Sequence, residues 1–204
     1  MPRFNVNRFY ELSVSSAPAT PVVTAADAKT FMRVDYSTDD SYITALVTTA
    51  TKWVEEYLNR ALITQTLIAY YTQYAGVVYL PNAPVQSVTT VEQIAQDATA
   101  TVLTAAQDYY VKGVQDKYLE FAGNTYLPSG HSVSDTLADY GLKVTYVAGY
   151  GDASTDVPEP IIEAVKRLVM YLYDNRDEVV IGAALTKMPL GLTALLDPYK
   201  NINL

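Results

Sequence analysis

Apolar positions recur at helical spacing twice in this chain, and the long interval between the two runs follows a different rule. Ile43, Leu46, Val47, Ala50, Trp53, Val54, Tyr57 and Leu58 make the first stripe, predicting an amphipathic helix that ends near residue 59. Ile161, Ile162, Val165, Leu168, Val169, Leu172 and Tyr173 make the second. Between them, from 63 to 148, the pattern is that of strands. Residues 77–80 form a short buried run stopped by Pro81, and Pro84 opens a strand over 85–94. Residues 108–112 and 117–122 predict a hairpin, with Gly123-Asn124 as the next turn. Leu142, Val144, Tyr146 and Ala148 alternate with Lys143, Thr145 and Val147, the cleanest period-two pattern present.

The boundaries carry their own chemistry. Thr24 stands in N-cap position with Asp27 three residues on, ahead of a short helix through Met32. Asp39 and Asp40 place negative charge at the start of the first long helix, where the helix dipole favours it. Pro158 and Pro160 suit the first turn of the second long helix, and Glu163 with Arg167 adds an i,i+4 pair. The Pro18- and Pro21-containing start, 1–23, reads as an arm. A weakly periodic segment with Pro189, Gly191 and Pro198 closes the chain.

The predicted class is therefore α+β: two long packed helices plus short ones, a strand insertion between them, and an extended C-terminal tail. The expected division is an arm at 1–23, one domain at 24–182 and a tail at 183–204. Within the domain, helices at 24–60 and 157–176 flank a β insertion at 62–149.

Charge then changes the picture. From Ala61 to Val91 there is no Lys, Arg, Asp, Glu or His. A strand with one wet face normally carries charges there, so this stretch calls for cover on much of both faces. Either the rest of the chain or another copy of it supplies that cover. Eighteen tyrosines against four phenylalanines fit surfaces buried on assembly, and equally fit plain β-propensity. Tyr70, Tyr71, Tyr74 and Tyr79 are the candidate subunit-interface residues within the uncharged stretch. The net charge of −8 argues against tight phosphate binding, and seven acids against two lysines over 92–139 suggest that the β part carries most of it. No cysteine is present, so disulfides and thiolate metal sites are excluded. No apolar run suits a membrane span, and the first residues lack the apolar centre of a signal peptide.

Candidate catalytic chemistry is thin. His131, the only histidine, lies among loop residues at 128–141 and has no second histidine with which to form a metal-binding spacing. Asp39-Asp40 and Glu55-Glu56 are adjacent on helices, so their side chains diverge by about 100° rather than converge on one atom. Gly149-x-Gly151 lacks the third glycine and the lysine of a phosphate loop, and Asp152 would repel phosphate. No catalytic, metal or cofactor site is expected.

Several segments, in order, resemble the head–tail connector (adaptor) proteins of long-tailed bacteriophages and gene-transfer particles. They include Phe31-Met32-Arg33-Val34-Asp35 after a short helix, and the long helix running through Glu55-Glu56-Tyr57-Leu58-Asn59-Arg60. Leu80-Pro81-x-x-Pro84-Val85, Val147-Ala148-Gly149-Tyr150-Gly151 and Leu195-Leu196-Asp197-Pro198-Tyr199-Lys200 follow. The resemblance spans about residues 24–200. It implies a non-enzymatic virion protein of the neck, assembled in the host cytoplasm as a homo-oligomeric ring, a dodecamer in that family. Its partners would be the portal protein and a stopper or tail-completion protein, with DNA passing through the channel without specific binding. It also implies portal docking by the C-terminal segment, here Leu190, Leu192, Leu195, Leu196, Pro198 and Tyr199. The alternatives are a stopper or tail-completion protein, a small soluble ligand-binding α+β domain, and a C-terminal helix folded onto its own core.

Overall fold

The computed structural model describes residues 8–73, 76–95, 98–122, 141–175 and 190–201. His131 and the loop expected around it fall outside the described residues, as does Tyr74. The chain divides into two compact units. One joins residues 18–63 to 150–202, and the other joins 1–17 and 64–149.

The first unit is helical. Helix α1 (Ala25–Met32) starts with the reciprocal cap read from the sequence: Thr24 Oγ1 accepts from the Asp27 N–H at 3.1 Å, and the Asp27 carboxylate accepts from the Thr24 N–H at 3.2 Å. That bonding, from the Thr24 side chain first and its backbone second, holds the Asp27 carboxyl below its ordinary value. Helix α2 (Asp40–Leu58) and helix α3 (Glu159–Asp174) bury the predicted stripes, including Ile43, Val47, Ala50 and Val54 against Ile161, Val165, Leu168 and Val169. Arg33 and Asn59 end α1 and α2 in the left-handed region, at φ 59° and 51°. Each turns the chain so that a final helical carbonyl is satisfied: Val34 N–H donates to Lys29 and Arg60 N–H to Glu55.

The segment between sheet and α3 is a tight turn rather than a phosphate loop. Gly149 has φ 131°, and a Cβ on Gly151 would fall 2.2 Å from the Asp156 carboxylate. Asp156 occupies that space to accept from the Ala153 N–H at 3.0 Å. The C-terminal tail, expected to be extended, is helical over 190–199: helix α4 (Leu190–Leu196) runs into a 3-10 turn, Asp197–Tyr199. Its Leu192 and Leu196 join the same core. Leucines three and four apart at one end of a bundle gain more from burial there than from extension into water.

The second unit is built from two antiparallel sheets. Five strands lie in the order β1 (Arg8–Ser16), β2 (Gln65–Gln73), β8 (Leu142–Ala148), β4 (Val85–Ile94), β5 (Ala100–Val102). Three lie in the order β3 (Val77–Tyr79), β7 (Tyr118–Phe121), β6 (Tyr109–Lys112). The predicted hairpin is β6–β7, and β4 and β8 occupy the predicted intervals. Part of the presumed arm is an edge strand, since 8–16 pairs along β2. The inner faces bury Leu67, Ala69 and Tyr71 of β2, Leu142, Val144 and Tyr146 of β8, and Val78 and Leu119 of the smaller sheet. Tyr71 and Tyr146 carry their hydroxyls into this core and donate them to the carbonyls of Tyr79 (2.7 Å) and Pro81 (2.8 Å). Burial raises both phenols well above their ordinary value.

The uncharged stretch is thereby largely accounted for. Ala61, Leu62 and Ile63 are core residues, Leu67, Ala69 and Tyr71 share one buried face of β2, and Leu80, Ala83 and Val85 are buried as well. The chain itself covers one face of β2 and β3. The other face is a surface.

Candidate functional site

Among the described residues no group of three or more His, Asp or Glu side chains is placed to hold a metal. No helix there is long and apolar enough to cross a membrane. What the structure offers instead is a set of surfaces, two of them on the helical unit.

The first is a clasp at the end of α2. Asn201 N–H donates to the carbonyl of Leu58 at 2.8 Å, and Asn59 Nδ2 returns a bond to the Asn201 carbonyl at 3.2 Å. The buried Arg60 guanidinium donates through Nε to the Tyr199 carbonyl at 2.5 Å. Tyr57 donates to Asp197 Oδ1 at 2.6 Å, which raises its phenol above the ordinary value, and Lys200 Nζ stands 4.5 Å from the Tyr57 ring centre. Trp53 stacks on the same ring, with centroids 5.1 Å apart and planes at 12°. Residues 197–201 thus satisfy polar groups left over where α2 stops.

The second is a phenol cluster at the other end of α2. Tyr173 donates to Asp39 Oδ2 at 2.7 Å, and its oxygen lies 2.7 Å from the hydroxyl of Tyr36. The bond to Asp39 first, and that to Tyr36 second, push the Tyr173 phenol up. Asp40 of the neighbouring carboxylate pair turns to Lys29 at 2.5 Å. The two acids therefore serve different partners.

On the β unit, strand alternation sorts the outward residues into two faces. The outward face of the five-stranded sheet is low and uncharged over two of its rows. Thr66, Val147 and Ser87 stand in register, as do Ile68, Thr145 and Thr90. The third row is charged: Glu11, Tyr70, Lys143 and Glu92 lie side by side across four strands, with Lys143 and Glu92 paired at 2.7 Å. The outward face of the three-stranded sheet is bulkier. Tyr79, Tyr118 and Lys112 form one row and Val77, Glu120 and Tyr110 the other. The Tyr79 and Tyr118 rings are 5.4 Å apart, and Lys112 Nζ lies 5.4 Å from the Tyr110 ring centre and 4.0 Å from Glu120.

The candidate interface tyrosines consequently separate. Tyr70 and Tyr79 face outward on different sheets, whereas Tyr71 is 1 % exposed and has no surface to offer, which removes it. Strand alternation determines this: neighbours 70 and 71 must point to opposite faces. Tyr110 and Tyr118, which the sequence places in the predicted hairpin, stand on the same outward face as Tyr79. Of the candidate docking residues, Leu192 and Leu196 are core, Leu195 and Tyr199 are half-buried, and Pro198 is exposed. The Leu190 side chain lies outside the described residues.

Charge is also distributed differently from expectation. The segments of the β unit hold eight acids and five bases, and those of the helical unit fourteen acids and nine bases. Most of the acidity is helical, because the acids cluster at helix ends and on wet helix faces.

No curated protein matches the chain. Among solved structures, a chain from the neck of an empty gene transfer agent (GTA) particle, computed with C6 symmetry, superposes with a TM-score of 0.75 at 19 % identity. A chain of the native GTA virion gives 0.74 at 20 %, and one from the native GTA neck, computed with C12 symmetry, gives 0.71 at 19 %. Each alignment covers 96 % of this chain and 97 % of the other, so the fold is shared end to end. The head completion protein (HCP) family model matches residues 21–201, both units and the clasp included, and the chain belongs to that family.

Proposed function

We propose that this head completion protein is the adaptor of a particle neck: a structural ring seated beneath the portal that extends the DNA channel and receives the stopper or tail proteins. The observation that carries the reading is the correspondence, over nearly all of both chains, with neck chains resolved under C6 and C12 symmetry. Twelve copies suit those symmetries. No enzymatic step enters the proposal. The protein acts by holding surfaces in place, and the net charge of −8 lets DNA slide past with little retention.

Portal docking by the C-terminal segment uses its outward side, Leu195, Pro198 and Tyr199. Leu192 and Leu196 hold the segment to its own helical unit. Deleting everything after Gly182 would strip that core as well as the docking surface, so point changes are the cleaner probe.

The test is electron microscopy of the purified chain with and without portal. Rings seated on portal support the adaptor reading, with Pro198→Asp and Leu195→Asp reducing attachment while the melt stays near wild type. A chain that ignores portal and closes the distal end of an already assembled neck would establish the runner-up, a stopper. A channel wall mapped as basic would remove the DNA-sliding argument.

A further inference from the structure

We infer that neighbouring copies meet head to tail through their β units, the tyrosine face of one three-stranded sheet resting on the outward face of the next copy's five-stranded sheet. The inference rests on the ring reading and names its contact. Both faces belong to one β unit, in which the Tyr71 hydroxyl of the larger sheet donates to the Tyr79 carbonyl of the smaller, and they are made of different strands. Two different patches of one body that meet on neighbouring copies make a heterologous contact, the kind that propagates and closes a ring.

The two faces differ in the ways that mating surfaces must. One is raised: Tyr79, Tyr118 and Tyr110 are large, amphipathic and partly or largely open to solvent. The other is low, with Thr66, Ile68, Thr145 and Thr90 at its centre. Two tyrosine faces would leave gaps between bulky rings, and two low faces would lack anchors. Tyrosine on a flat β-branched surface gives close packing and keeps the hydroxyls at the rim. Charge complements shape. Lys112 and Glu120 stand on adjacent strands of the raised face, and Glu92 and Lys143 on adjacent strands of the low one. An antiparallel approach sets Lys112 against Glu92 and Glu120 against Lys143. The reverse approach opposes like charges, so the pattern also selects orientation.

The chain has no cysteine, which makes the test direct. Tyr118→Cys and Thr145→Cys are introduced singly and together, rings on portal are verified by electron microscopy, and the samples are oxidised and run without reductant. The expected result is a ladder of covalent oligomers from the double variant and monomer from each single one. Dimers from a single variant would show a two-fold contact and overturn the proposal. Verified rings without a ladder would overturn it while leaving the ring reading intact, and absence of rings in the unmutated protein would remove both. Both positions are only half-buried, and a melt of each single variant checks folding. Lys112→Glu in the double-cysteine background lowers ladder yield about tenfold if the charge pairing is right, and an unchanged yield would overturn the stated orientation.

Discussion

The helical unit and the β unit use the same residue types to opposite ends. In the helical unit tyrosine hydroxyls are turned inward on the chain: Tyr57 to Asp197, Tyr173 to Asp39, with Tyr36 bonded to Tyr173. Its C-terminal segment is folded back and fastened, and its surface carries the larger share of the charge. In the β unit Tyr71, Tyr109 and Tyr146 serve the core and several others stand on an outward face beside few charges. One unit completes itself, and the other is finished on its inner faces only. The difference favours contacts between copies on the β unit, whereas the helical unit offers a portal the outward side of its fastened C-terminal segment.

The largest effect that could break this comparison lies at Leu196, which is wholly buried. Leu196→Ala should cost about 2–5 kcal/mol in a denaturant melt, with loss of amide protection along α2–α4 and little change in β2 and β8. A neutral result would mean that the segment is a loose tail after all. Arg60→Met should follow at about 2 kcal/mol, because it removes a charge-assisted bond to the Tyr199 carbonyl in a buried place. Its signature is protection lost at 197–201 before the rest of the unit.

Alkaline titration sharpens the other side. Tyr71 and Tyr146 have phenols raised by burial, so the neutral forms stabilise the β unit fully below the unfolded value near 10.0, and that contribution is lost as pH rises above it. Each group costs about 1.4 kcal/mol per pH unit beyond that point. Tyrosinate absorbance should therefore show Tyr71 and Tyr146 ionising only as the β unit unfolds, after the exposed phenols have ionised reversibly. The smallest effect is at the first cap. Thr24→Ala should cost about 1 kcal/mol. Because the Asp27 carboxyl is held below 3.8, the capping contribution is present above that pH and fades as the pH falls through its folded value. An unchanged melt for Thr24→Ala at neutral pH would show that the cap does nothing, whereas convergence with the parent in acid is the expected result.

Much of this architecture was legible in the sequence because it depends on local rules. Strict alternation located β8, Pro81 and Pro84 bracketed the start of β4, and Thr24 with Asp27 announced α1. What was not legible depends on partners far away in the chain. Residues 8–16 become a strand because the free edge of β2 accepts them, and their own pattern, broken by irregular register, gives no strong sign of it. β5 is three exposed residues with no apolar face to betray it. Leu192 and Leu196 read equally well as sticky ends or as core until the bundle they complete is known. The family resemblance was carried by phrases at helix ends, and two of these are the left-handed caps at Arg33 and Asn59. The tyrosine face proposed for assembly stayed hidden because it is defined by register across strands, which brings Tyr79 beside Tyr118 from 39 positions away in sequence.

The clasp has a practical side. The chain has a single tryptophan, and that indole lies flat on the ring that Asp197 and Lys200 hold. Its emission is thus a label placed by the protein itself, brightening, dimming or shifting as the last turn lifts off. Stopped-flow fluorescence on mixing with portal would show, without any dye, whether the clasp stays shut while the outward side docks.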